Sequence, residues 1–404
     1  MLKLWAIGLA GLAGWAGFEF FCQTRGDCRL RLAAEQLDDR TLLIADDSHA
    51  CLRFSFSFIN NGPQQALLID ASANLQPAGE HFSELQPVCR LINPLKWRSD
   101  GYWDASTIVP GEQLKVWVEL WLTAPDIRTV LNSLTELRLD IFFKYYGRTP
   151  MIYRREELFL DLSRFKTVDE HPELPTPAQE PKKKGSSDPS SRVVPLRTKL
   201  LRPGDDLLEI VKQYAQGVAS PGDLVAVAES AVAIMQGRIV YCEDIKPRYL
   251  ARRLNRMFGM HSSLSSVYAL EMAFQEVGTT RMLLSFAAGL LGKLRRRDGD
   301  FYRVAGRAVA VIDDCTGTLP PFDKHVVLGP ARGDELVQLI KRETGLDCAI
   351  VDANDLGKVD VLHLSDRSRQ QEVVEALKPN PQGNADEMTP LVLIRATVAA
   401  PAKA

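Results

Sequence analysis

Between Cys51 and Asn60 the chain reads "CLRFSFSFIN", with Leu52, Phe54, Phe56 and Phe58 alternating against Arg53, Ser55 and Ser57. "QLKVWVELWL" repeats that period with Leu114, Val116, Val118 and Leu120. A period of two marks strands with one buried face. "LRLDIFFKYYGRTPMIYRREELFLDL" predicts a further pair of strands joined at the Gly147 to Pro150 turn. One helical stretch, "APDIRTVLNSL", interrupts them, so residues 28–163 are expected to form an antiparallel β-sandwich of immunoglobulin-like size. All six tryptophans precede residue 122, and Trp117 and Trp121 share the polar face of their strand. That face is expected either to pack on a second sheet or to meet a protein partner.

Residues 164–192, including the Lys182 to Lys184 run, are rich in Pro, Ser and charge and have no periodic apolar face, which predicts a disordered linker. From Val193 to about residue 397 strands and helices alternate. "DLVAVAES", "GRAVAVID", "CAIVDAND" and "LVLIR" read as strands, while "KPRYLARRLNRMFG", "GDELVQLIKRETG" and "RSRQQEVVEALK" read as helices. The alternation predicts an α/β or α+β domain. Met282 to Leu291 is an unbroken apolar run too short to span a bilayer, read as a buried helix with an interfacial membrane helix as the alternative.

The first residues differ from all of these. Leu4 to Cys22 is apolar but for Glu19 and lies between Lys3 and Arg25, so residues 3–22 are expected to form a transmembrane anchor, with a secretory signal as the competitor. Basic residues after the run suggest a single-pass membrane protein with its C-terminal domains on the cytoplasmic side.

Composition narrows the picture. The 404 residues are 46% hydrophobic and 25% charged, enough for two globular domains. A net charge of −2 offers no general attraction to nucleic acid. The seven cysteines form no C-x-x-C pair, which argues against a zinc site or a disulfide framework and for buried thiols in a reducing compartment. His261, His325 and His363 are isolated in sequence.

Candidate chemistry lies at two apolar runs that end in acids. "AVAVIDDCTG" delivers Asp313 and Asp314, and "CAIVDANDLG" delivers Asp352, Asn354 and Asp355. Ligands of open α/β sheets gather beyond the carboxyl ends of strands. Carboxylates there suit Mg²⁺ or Mn²⁺, although Asp and Asn also serve as turn and cap residues. No G-x-x-x-x-G-K-[ST] or G-x-G-x-x-G occurs in this half.

Several segments together carry a resemblance: "LLRPGDDLLEIVKQYA", "SPGDLVAVAESAVAIMQGRIV", "AVAVIDDCTGTLPP" and "LIKRETGLDCAIVDANDLG". They are similar to the coenzyme F420:L-glutamate ligase family over about residues 196–360. The resemblance implies a GTP-dependent, metal-assisted ligase joining the amino group of glutamate to a carboxylate through an acyl phosphate. It implies nucleotide contacts at Thr198, Lys199, Leu200, Leu201, Glu229 and Ser230, with Thr316 as a further candidate. It implies a metal ligand at Asp313, to which the acidic ends add Asp314, Asp352 and Asp355. Ile234 stands where the family has a nucleotide-binding lysine, Gln236 where it has glutamate, and Asn354 where it has an aspartate. The family's later Gly-rich nucleotide segment has no counterpart after "NDLG". Two readings therefore stand: a ligase using Mg²⁺ or Mn²⁺ and GTP, or a catalytically degenerate ligase-like module that works by binding or assembly at a membrane.

Overall fold

The computed structural model of the protein describes residues 2–76, 84–96, 98, 100–174, 192–354, 357–383 and 387–396, with side chains from residue 11 onward. The chain divides into two compact units: Met1–Gln179 with Lys246–Glu271, and Glu180–Ile245 with Met272–Ala404.

The first unit opens with a helix, α1 (Leu2–Arg25), followed by ten strands. One sheet contains β1 (Leu30–Leu32), β2 (Asp38–Ile44), β3 (His49–Asn60), β5 (Gln86–Ile92), β7 (Gln113–Thr123) and β10 (Lys166–Val168), in the order β10-β2-β3-β7-β5 with β1 on β3. The other contains β4 (Ala66–Gln76), β6 (Ser106–Ile108), β8 (Glu136–Tyr146) and β9 (Ile152–Asp161), in the order β6-β4-β8-β9. The short helix α2 (Ile127–Ser133) links β7 to β8. The alternation in sequence is the alternation in space: Phe54 pairs with Val118 and Phe56 with Val116, and these side chains are fully buried with Leu139, Ile141 and Phe143 between the sheets. Trp117, on the opposite face, is buried beneath the ammonium of Lys115, 4.8 Å from its ring. Order extends past Leu162, since β10 pairs in parallel with β2 and His171 Nδ1 lies 2.9 Å from Thr41 Oγ1. Residues 175–191, with Lys182 to Lys184 and most of the expected linker, lie outside the described residues.

The expected membrane anchor is overturned. No helix among the described residues is long and apolar enough to cross a membrane, so the single-pass placement that rested on it is withdrawn. The described half of α1 makes protein contacts instead. Glu19 pairs with Arg253 at 3.2 Å, Cys22 is buried, and Trp15 stacks on Tyr249 with ring centroids 6.4 Å apart. An ion pair and a stacked ring on one face suit packing against protein rather than lipid.

The second unit is a mixed sheet with helices on both faces. Its elements run β11 (Val193–Leu196), α3 (Leu207–Val211), β12 (Leu224–Ala228), α4 (Glu229–Met235) and β13 (Ile239–Tyr241). After α5 (Tyr249–Leu254), which belongs to the first unit, come α6 (Val267–Val277), whose residues up to Glu271 also belong to the first unit, α7 (Thr279–Leu294), α8 (Asp300–Ala305) and α9 (Arg307–Ala310). The chain closes with β14 (His325–Val327), α10 (Gly333–Thr344), β15 (Asp347–Ala353), β16 (Val359–Leu364), α11 (Gln370–Leu377) and β17 (Leu391–Ile394). The main sheet has the order β11-β17-β12-β15-β16; β12 and β15 are parallel and every other pairing is antiparallel. Val225 and Val227 face α3, α4 and α10, whereas Leu224 and Ala226 face α11, so the central strand is buried on both sides. This explains why its sequence is continuously apolar. Gly345, with φ +74°, ends α10 in the left-handed region as a C-terminal glycine should.

One expected strand is not a strand. "GRAVAVID" forms α9 and then a turn, and Asp313 joins Val327 by an isolated antiparallel bridge. Arg307 fixes this geometry by donating to the carbonyl oxygens of Leu362 and Val361 and to Asp360 at 2.9–3.0 Å. A short apolar run has no period to separate helix from strand, and here side-chain anchoring decides.

Candidate functional site

Five separated segments of the second unit converge on one cavity of about 290 Å³, one of them the irregular stretch that carries Gln382, Gly383 and Met388 to Pro390. The turn from β12 into α4 supplies Glu229 and Ser230, and the end of β15 supplies Asp352. The bridge and loop after α9 supply Asp313, Thr316 and Phe322, and the segment after β11 supplies Thr198 to Leu201. Both parallel strands point their carboxyl ends here, the usual place for a ligand in such sheets.

Each acid is positioned by backbone structure. Asp313 is held by a reciprocal pair of bonds, its N–H donating to Val327 O at 2.9 Å and its carbonyl accepting from Val327 N–H at 3.0 Å. Glu229 is the first residue of α4. Gly329 lies beneath it: a Cβ there would sit 3.5 Å from Glu229 Oε1 and collide with Val311. Thr316 has a φ of +75°, a strained conformation for a β-branched residue, and its N–H donates to Asp323 O at 2.7 Å. Thr198 is buried and donates its N–H to Met388 O at 2.9 Å.

The cavity has an acidic side and an apolar side. Glu229 Oε1 is buried without a hydrogen-bond partner. Burial, then the nearby charges of Asp313 and Asp352, push its carboxyl up to about 9. Asp313 is pushed up to about 6 by burial and by Asp352, and Asp352 is raised by burial and by Asp360. Asp313 and Asp352 nevertheless expose their side chains on the cavity wall. Lys199 is the one cation among the described lining residues, and its Nζ is held by Asp205 at 2.6 Å. Leu200, Leu201, Ile234, Leu319, Phe322 and Val351 form the apolar wall.

The sequence-predicted residues thus divide. Thr198, Lys199, Leu200, Leu201, Glu229, Ser230, Thr316, Asp313 and Asp352 all line this cavity. Asp314 is not among the lining residues, and Asp355 lies outside the described residues. Ile234 is on the wall, whereas Gln236 is not: its amide donates to Ala331 O at 2.9 Å and accepts from Ala331 N–H at 2.7 Å. Sequence reasoning missed Phe322 and the Gln382, Gly383 and Met388 to Pro390 wall. Phe322 directly follows the segment "AVAVIDDCTGTLPP", but 382–390 carries neither periodicity nor a motif.

The donor set bears on metal binding. Among the described residues no three His, Cys, Asp or Glu side chains are grouped closely enough to hold a metal ion by themselves. Mg²⁺ does not require that: it usually takes one or two carboxylates and completes its sphere with water and phosphate oxygens. Three carboxylates of raised pKa, one with an orphaned oxygen, are short of positive charge. On that observation the residues fit a divalent ion bound jointly with an anionic ligand.

The chain was compared with curated proteins, solved structures and family models. No curated protein matches the chain. Among solved structures, the ApaA protein from Bordetella pertussis shares 8% identity, covering 34% of this chain and 96% of that one, with a TM-score of 0.19. The GAE domain of yeast GGA1 shares 10%, covering 32% and 90%, with a TM-score of 0.20. A protein from Archaeoglobus fulgidus shares 14%, covering 31% and 99%, with a TM-score of 0.16. Likenesses at those scores carry no inference. The family model of F420-0:Gamma-glutamyl ligase matches residues 195–343, a stretch containing every cavity segment except Asp352 with its neighbours and residues 382–390. The C-terminal half of the chain therefore carries an F420-0:gamma-glutamyl ligase-like domain.

Proposed function

We propose that the second unit is a GTP-dependent ligase that activates a carboxylate and joins it to an amine, with glutamate as the first amine to test. The observation that carries this reading is the meeting of Thr198 to Leu201, Glu229, Ser230, Asp313 and Asp352 around one cavity, although they lie far apart in sequence. In such a reaction a carboxylate oxygen attacks the γ-phosphorus and GDP leaves. The amine then attacks the acyl carbon, phosphate leaves, and a proton is lost from nitrogen. Bound Mg²⁺ or Mn²⁺ would neutralise phosphate charge, and Asp313 with Glu229 or Asp352 would hold it. The carboxyl pKa values support this division of labour, since sites crowded with like charges favour a bound cation. The apolar wall of Leu200, Leu201, Ile234 and Phe322 offers a surface for a purine base.

Ile234 favours a second reading. A buried isoleucine on the wall cannot neutralise phosphate, which suits a module that binds nucleotide without turning it over.

One experiment separates the readings: calorimetric titration of the full chain with GTP at fixed Mg²⁺, beside Asp313→Asn, followed by a phosphate-release assay with glutamate and a panel of carboxylates. Mg²⁺-dependent binding that weakens at least tenfold in the variant, with amine-dependent phosphate release, is the expected result. Binding without release supports the second reading, and no binding to the folded protein defeats both.

A further inference from the structure

Helix α7 is apolar on two opposite faces. Met282, Ser285, Phe286 and Gly292 are buried, with Phe286 edge-on to Phe301 of α8 at a centroid distance of 5.0 Å. Gly289 permits the close approach of α8, since a Cβ there would lie 3.1 Å from Phe301 Cβ. The other face presents Leu283, Leu284, Leu290, Leu291 and Leu294, which are 43%, 60%, 53%, 51% and 75% exposed. At about 100° per residue these five lie within an arc of roughly 120°, with Ala287 between them. Apolar surface of this extent on one exposed helix face marks a contact site.

The residues around the stripe indicate what covers it. No acidic side chain interrupts it, and at its C-terminal end Lys293, Arg295 and Arg296 are exposed. Arg297 and Arg303 converge on Asp300, but no ion pair reaches Lys293, Arg295 or Arg296 among the described residues. An apolar stripe flanked by free basic groups complements an anionic lipid surface, where leucines enter the acyl boundary and the cations meet phosphates.

We propose that the leucine face of α7 docks on the surface of an anionic bilayer. The contact lies in the interface and crosses nothing: 16 residues extend about 24 Å, short of the ~30 Å hydrocarbon core. It is independent of α1 and of the ligase reading, because no cavity residue takes part.

The test is co-sedimentation of the full chain with vesicles of phosphatidylcholine and phosphatidylglycerol in equal parts, beside pure phosphatidylcholine vesicles. The variants are Leu284→Gln with Leu291→Gln, and Lys293→Gln with Arg295→Gln and Arg296→Gln. All these residues are exposed, and unchanged thermal melting will show that the fold is kept. The wild-type chain is expected to sediment with anionic vesicles, with at least tenfold weaker partition in the leucine variant. The basic variant should lose the preference for anionic lipid, and added salt should do the same to the wild type. Three results would overturn the proposal: wild-type protein staying in the supernatant, a leucine variant that binds as the wild type does, or a wild-type dimer that the leucine substitutions dissociate. The last would assign the face to a second copy of the chain.

Discussion

Replacing Arg148 by methionine should release a segment that interrupts the sequence of the ligase-like half. Arg148 is 2% exposed. Its guanidinium donates to Gln64 Oε1 at 3.0 Å, to Asn255 O at 3.1 Å and to Phe258 O at 3.1 Å. Asn255 Nδ2 donates back to Arg148 O at 2.6 Å. Burial, with a smaller contribution from Arg25, lowers the pKa of the guanidinium. Methionine fills similar volume but strips three acceptors of their donor, at about 1–3 kcal/mol each where they stay dry. Removing a desolvated charge offsets several kcal/mol of that, leaving a net loss of about 3 kcal/mol. Unfolding of a two-unit chain is not assured to be two-state, so hydrogen exchange resolved by peptide is the assay. A loss of about 3 kcal/mol in the opening energy speeds exchange roughly a hundredfold. The effect should centre on residues 252–262 and leave the amides of β3 and β7 unaltered. Arg148→Lys should fall between, because an ammonium cannot match the fork of the guanidinium. Unchanged protection of 252–262 in the methionine variant would refute this account of the anchor.

Three further outcomes can be checked. Gly329→Ala forces a methyl into Val311 beneath Glu229 and should cost about 1–3 kcal/mol, read as a lower melting temperature; a variant as stable as the wild type would show that the floor of the cavity yields. Burial raises the Asp347 carboxyl, but Lys341, Ser365 and Arg369, at 2.7–3.0 Å, outweigh it and hold the pKa below its ordinary value. Its stabilising contribution is therefore present above the unfolded pKa and lost as pH falls through the folded one. Asp347→Asn should flatten the acid limb of the melting profile, and an unaltered limb would count against it. Burial pushes the thiols of Cys51, Cys89 and Cys348 up to about 12 and raises Cys28 further, so these should resist disulfide reagents at pH 8 and react after denaturation; fast labelling of Cys348 in the native chain would contradict its burial.

How far the sequence could be read depended on what enforced each element. Strands with one wet face carried their period openly: Phe54, Phe56 and Phe58 could not have faced two ways without exposing three rings. "LVAVA" and "CAIVDA" were readable by length and by their acidic or polar ends, since both faces are buried. The run Ala308 to Asp313 failed because its conformation rests on Arg307 reaching three groups of β16, a contact between residues more than fifty positions apart. The N-terminal run failed differently. Apolar composition suggested lipid, but Glu19 and Cys22 find protein partners in the segment 246–271. Of the site, the acids at Asp313 and Asp352 and the motif-bearing segments were legible. Residues 382–390, which close the cavity by irregular backbone, left no pattern to read.

The two departures from the family pattern near α4 differ in physical meaning, and the difference bears on chemistry. Gln236 uses both ends of its amide on Ala331, as donor to the carbonyl and acceptor from the N–H. A glutamate could make only the second bond, so glutamine here anchors a loop and says nothing about catalysis. Ile234 is on the cavity wall and brings no cation to a site that holds Glu229, Asp313 and Asp352. Lys199, already paired with Asp205, does not restore the balance. An anionic nucleotide approaching this cavity meets surplus negative charge unless a divalent ion comes with it. Under the proposed function, affinity for GTP should therefore depend steeply on Mg²⁺ concentration, more steeply than in a site furnished with its own lysine. A cavity that had abandoned phosphate altogether would bind nucleotide at no Mg²⁺ concentration.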